Sequence, residues 1–153
     1  MKEMNSSVAL HSCSTASSEC CNDSDCTKMG KEVCIEAMCF RDGSLRFSLY
    51  WVGKDILSLT VMTPTWQTLS SAYTVAESPN FAWESNDHSK VHVRNLVFSG
   101  QTIPAGNYIY SIGSSSEAGS SIEWSVGVYI QGKEASFHTG QGLTSFLVFE
   151  YPE

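Results

Sequence analysis

All six cysteines fall between Cys13 and Cys39, in the order Cys13, Cys20, Cys21, Cys26, Cys34, Cys39. An even number packed this closely reads as a disulfide framework made in an oxidising compartment. Zinc is the competing chemistry, but tetrahedral zinc sites usually draw their ligands from C-x2-C knuckles. The segment has none, and His11 is its only imidazole. Bridges rather than metal are therefore expected. Six cysteines admit many pairings, and spacing alone does not choose among them. A knotted pattern, first to fourth, second to fifth and third to sixth, is the preferred expectation. The adjacent pair stands second and third, whereas in cystine-knot peptides it more often stands third and fourth. Residues 8–42 carry few large apolar side chains, so cross-links must help offset their chain entropy. Asn5 and Asn22 each open an Asn-x-Ser sequon, which makes them glycosylation candidates in a secreted eukaryotic protein.

Other chemistry is thinly represented. A serine nucleophile needs a histidine base and an orienting carboxylate, and no G-x-S-x-G elbow is present. His88 and His92 lie near Glu84 and Asp87, a cluster able to hold a cation or a sugar hydroxyl. The plainer reading is preferred: a polar loop entering a strand, with His92 on the solvent face. His138 reads as an exposed strand residue. No spacing singles out a carboxylate pair for glycoside hydrolysis, and no glycine-rich phosphate loop opens a helix. No catalytic residue, metal or cofactor is expected. Tyr50, Trp66, Trp83 and Tyr129 fall in the polar phase of strands or in loops. Exposed aromatics of this kind stack on sugar rings or anchor interfaces, so these four are the candidate glycan or interface contacts.

Charge narrows the partners. Nine basic residues against sixteen acidic ones give a net charge of −7, which argues against phosphate-backbone binding. No apolar run is long enough for a membrane-spanning helix, and the polar opening MKEMNSS shows no secretory leader.

The elements that must position these residues change character along the chain. Residues 1–42 form a Cys-rich, disulfide-stapled segment, and 43–153 form a β-sandwich domain that holds all four Trp and all six Tyr. From Leu45 the apolar period is two: Leu45, Phe47, Leu49 and Trp51 share one phase, as do Leu57, Leu59 and Val61. Further strands are expected at Val91–Phe98, Asn107–Ile112, Ser121–Gln131, Glu134–Thr139 and Leu143–Tyr151. Turn signals at Gly53-Lys54-Asp55, Thr63-Pro64-Thr65 and Gln131-Gly132-Lys133 separate them. Residues Gln67–Lys90 are the least regular, read as one short strand near Gln67–Ala72 and a long loop. Seven or eight short strands without crossover helices indicate an all-β antiparallel sandwich, jelly-roll or Ig-like.

Three blocks carry a family likeness. The first is Leu45–Trp51, Asp55, Ile56–Met62 and Pro64. The second is Val93-Arg94-Asn95-Leu96-Val97-Phe98 followed by Pro104-Ala105-Gly106-Asn107-Tyr108. The third is Trp124–Lys133 with Phe137–Gly140. Over residues 45–151 the chain resembles the YfaP-like domain of unknown function of secreted bacterial proteins, and is similar to the prepeptidase C-terminal sandwich. That family often shows an early D-x-D-L arrangement able to bind calcium. Here the stretch is Asp55-Ile56-Leu57-Ser58, with one carboxylate, whereas calcium takes six to eight oxygens. No metal site is carried over. The family has no established catalysis, so the resemblance implies a module rather than an enzyme.

The expected function is a non-enzymatic extracellular structural or adhesive module at a cell or virion surface. It would serve as a subunit of a filament, fibril, cell coat or virion. Its partners would be copies of itself or neighbouring extracellular proteins, met through the N-terminal segment and sheet edges. The alternative is a carbohydrate-binding module using exposed Trp and Tyr. A third reading, from the Cys-rich half alone, is an inhibitor or toxin-like peptide fused to a sandwich.

Overall fold

Alternation of side chains builds two facing sheets. The computed structural model describes residues 20–72, 80–88, 90–100, 102–114 and 122–152; Cys13 and Asn5 lie outside them. A 3-10 helix (Asp23–Met29) leads into β1 (Val33–Ile35) and β2 (Met38–Phe40). Then come β3 (Leu45–Val52), β4 (Leu57–Met62), β5 (Thr68–Ser70), β6 (Phe81–His88) and β7 (Val91–Phe98). The chain closes with β8 (Gly106–Ser114), β9 (Glu123–Ile130), β10 (Lys133–Gln141) and β11 (Thr144–Tyr151). One sheet has the order β10-β9-β3-β7-β6, the other β11-β8-β4-β5, and β1 and β2 form a separate hairpin. Neighbouring strands are antiparallel throughout.

The two sheets close on one apolar core. Leu45, Phe47, Leu49 and Trp51 of β3 meet Leu57, Leu59 and Val61 of β4 and Tyr108, Tyr110 and Ile112 of β8. Phe47 sits at its centre, its ring 5.8 Å from that of Tyr108 and 5.5 Å from that of Tyr110. Fully burying a side chain of this size contributes roughly 1.5–3 kcal/mol.

Two expectations change here. Nine strands form the sandwich rather than seven or eight. The extra one is β6, which lies within the stretch read as a loop. It pairs with β7 along its whole length, from Phe81↔Phe98 to His88↔Val91.

Within residues 20–42, the β1–β2 hairpin of the Cys-rich segment forms a third layer over the five-stranded sheet. Val33, Ile35, Met38 and Phe40 pack against Tyr50, Val91 and Val93 on that sheet's outer face. Side chains from either side of the change of composition at residue 42 thus share one apolar cluster. Two disulfides fix the layer internally, Cys20–Cys34 and Cys26–Cys39. The first is the expected second-to-fifth pairing. The second joins the fourth cysteine to the sixth, which overturns the preferred first-to-fourth and third-to-sixth bridges. Cys21 is disulfide-bonded as well. Local geometry explains the fourth-to-sixth bridge. The hairpin places Cys34 opposite Cys39, so Cys20, just before the helix, and Cys26, within it, tie to one strand each. Asn22 caps that helix, with Asp25 completing a capping box, and Asp23 Oδ1 accepts the Cys34 amide at 2.8 Å.

Polar groups bond this layer to the sheet. Glu84 of β6 accepts from Lys31 Nζ at 2.5 Å and from the Arg41 amide at 2.6 Å. Asn95 donates to the Arg41 carbonyl at 3.0 Å, and accepts from Ser48 Oγ at 2.7 Å. Arg46, 1% exposed, donates to Asp42 at 2.9 Å and to Ser48 at 2.6 Å. Buried charge is tolerated because each partner is supplied.

Candidate functional site

The turn between β4 and β5 presents an exposed tryptophan. Trp66 is 80% exposed and has a φ of 66°. A bulky residue in the left-handed region is a genuine outlier, costing on the order of 1–2 kcal/mol. Thr63 holds it there. Its carbonyl accepts the Trp66 amide at 3.0 Å, its hydroxyl accepts the Gln67 amide at 3.1 Å, and its own amide donates to the Gln67 carbonyl at 2.9 Å. Behind the turn, Pro64 lies against Gly106, where a Cβ would come within 2.9 Å of its ring.

A groove of about 390 Å³ opens beside this turn and is lined by Thr65 and Gln67, the neighbours of Trp66 in the chain. The paired rings of Phe81 and Phe98, 4.8 Å apart, form its apolar part. The Phe98 ring occupies the space that a Cβ at Gly100 would fill. Asn80, Thr102 and Pro104 also line it, and among the described lining residues none has an ionisable side chain.

A second surface is the outer face of the four-stranded sheet. Register places Val148, Ile109, Met62 and Thr68 in one row across β11, β8, β4 and β5, with Ser111, Thr60 and Ser70 in the next. Phe146 is 71% exposed and Val148 56%. Glu150 is the one charged side chain among the described outward residues of this face. Its edge strand β11 is eight residues long. The edge strands of the other sheet carry charge, with Glu84 and Asp87 on β6 and Lys133 and Glu134 on β10.

The candidate aromatics separate accordingly. Trp66 is exposed, and Trp83 is half-buried against the sandwich core. Tyr50 and Tyr129 are buried, at 0% and 1%, which removes both from the glycan and interface contacts. The hairpin covers Tyr50. Tyr129 lies under the Arg46 guanidinium, 4.0 Å from its ring centre, and burial pushes its phenol up to about 12. Asn22 is exposed and occupied as a helix cap, its Oδ1 accepting from the Asp25 amide and Ser24 Oγ.

His92, expected on the solvent face, is buried. It stacks on Trp51 at 4.9 Å, places Nδ1 2.6 Å from Asp87, and places Nε2 2.9 Å from the Gly53 carbonyl. This carboxylate–imidazole pair has the outline of half a catalytic triad. Its outer nitrogen, however, is occupied by a carbonyl, which has no proton to give up. His138 is half-buried, 6.5 Å from the Tyr110 ring, rather than exposed. The sulfur atoms of Cys20, Cys26 and Cys39 lie within 4.8 Å of one another, but all three are engaged in disulfides.

Asp87 gives a pH prediction. Burial pushes its carboxyl up, but hydrogen bonds from Arg94 and His92, with their charge, outweigh this and hold it below its ordinary value of 3.8. A depressed folded-state value means stability present above the unfolded value and lost as pH falls through the folded one. Between pH 5 and pH 2.5 the urea midpoint of Asp87→Asn should therefore fall less than that of the parent. Equal falls would show that the carboxylate carries no such stability.

No helix among the described residues is long and apolar enough to cross a membrane. Comparison with protein-family models, with curated proteins and with solved structures found no match to this chain.

Proposed function

We propose that this chain is a non-enzymatic extracellular structural or adhesive module, associating with copies of itself or with neighbouring surface proteins. The observation that carries the reading is the outer face of the four-stranded sheet, apolar and hydroxyl-bearing, with Glu150 as its one charge among the described residues. A chain of net charge −7 repels its own copies, and a face with one charge among its described residues adds little to that repulsion. Residues 20–42 are folded onto their own sheet, so the contact falls to the sheet face and to the β11 edge, not to that part of the N-terminal segment. The disulfides fit an oxidising, extracellular setting at a cell or virion surface. The likeness of residues 45–151 to YfaP-like and prepeptidase C-terminal domains belongs to the same proposal, as does glycosylation at Asn5 and Asn22.

Sedimentation velocity over a range of concentrations tests it. The parent chain should form species larger than the monomer as concentration rises. Val148→Lys should weaken that association about tenfold or more, while surface substitutions of this kind usually leave folding within about 0.5 kcal/mol. A parent chain monomeric at every concentration would remove the basis for the reading.

A further inference from the structure

We infer that the groove beside Trp66 is a binding site for a neutral saccharide, separate from the sheet face and independent of it. Three observations converge on one ligand chemistry. The first is the strained, exposed Trp66. Among the described residues the indole itself, 80% exposed at a φ of 66°, has no hydrogen-bond or ring partner. Thr63 nevertheless spends its amide, carbonyl and hydroxyl on fixing that turn. Strain held this firmly points to a role for the residue it presents.

The second is the groove's composition. Apolar surface from Phe81 and Phe98 lies beside hydroxyl and amide groups from Thr65, Gln67, Asn80 and Thr102. A pyranose ring presents the same pair of chemistries. Its C–H face stacks on an aromatic ring, and its hydroxyls exchange hydrogen bonds with primary amides. An all-equatorial, β-linked hexose has the flattest such face.

The third is charge. The chain has a net charge of −7, yet none of the described lining residues of this groove is ionisable. Among the described lining residues anionic sugars meet no cation, and basic peptides meet no carboxylate. About 390 Å³ is within the usual range of small-ligand pockets.

Titration of the oxidised full chain with cellohexaose and chitohexaose, followed by tryptophan emission and calorimetry, tests the assignment. At least one of these two neutral chains should saturate by millimolar concentration, and a hexagalacturonate probe should not. Trp66→Gly is the informative variant, because glycine adopts a positive φ without strain. Its melting temperature should be unchanged or higher, while saccharide affinity falls at least tenfold. Gln67→Ala should weaken binding in the same direction. Three results would each overturn the site: saccharide binding that survives Trp66→Gly, no saturation by either neutral probe, or quenching by a hexaproline peptide where the sugars have no effect. The last would assign the groove to extended peptide.

Discussion

Alanine at both Cys26 and Cys39 is expected to lower the stability of the oxidised chain by about 3 kcal/mol, within the range usual for a loop of this length. The bridge spans thirteen residues and ties the 3-10 helix to β2. Cys26 is fully buried, so its loss also loosens the sulfur cluster beneath the helix. The effect should be regional first. The hairpin is two three-residue strands joined through Glu36 and Ala37, both at positive φ without being glycine. Such a hairpin is marginal alone. With the bridge gone, Phe40, Ile35 and Met38 should leave Tyr50, Val91 and Val93, raising dye binding and opening residues 20–42 to protease. The sandwich core around Phe47 should persist. Urea midpoints and limited proteolysis of the double variant check both parts. A single cooperative loss of hairpin and sandwich together would show that the layer is integral rather than regional.

Arg46→Ala should cost about 3 kcal/mol, because truncating one member of a buried charged network leaves the others unpaired. Arg46 bonds Asp42 and Ser48 and covers the Tyr129 ring. Its removal strands groups that bond onward to Asn95. For a chain of this size, each kcal/mol moves the melting temperature by roughly 2–4 °C, so a fall of about 6–12 °C is expected by calorimetry. Arg46→Met, which keeps the stem without the charge, should recover part of the packing over Tyr129. Equal losses for both variants would attribute the whole effect to the charge.

Arg46 also shows where sequence reading stops. The alternation in Leu45–Trp51 correctly identifies a strand and its core phase, and the all-β antiparallel sandwich follows from that period. The other phase, Arg46, Ser48 and Tyr50, looks solvated only when nothing covers it. Here the Cys-rich layer does, and no local pattern announces a cover arriving from elsewhere in the chain. The same layer inverts β7. Val91 and Val93 look core-facing, but they face the hairpin, and the polar His92 and Arg94 turn inward onto Trp51. A strand buried on both faces has no phase to read. Strand β6 was hidden because its polar residues are satisfied at a distance, Glu84 by Lys31 and Arg41, Asp87 by Arg94 and His92. Trp66 was legible as an aromatic in a turn. Its positive φ and the groove beside it depend on Thr63 and on strands far along the chain.

The association surface is most directly tested by amide hydrogen exchange on the full oxidised chain at low and at high concentration. Concentration-dependent protection is expected in β11 and in the neighbouring segment of β8 around Ile109, and should be absent in Val148→Lys. Protection confined to the β10 or β6 edge, or exchange independent of concentration, would contradict it.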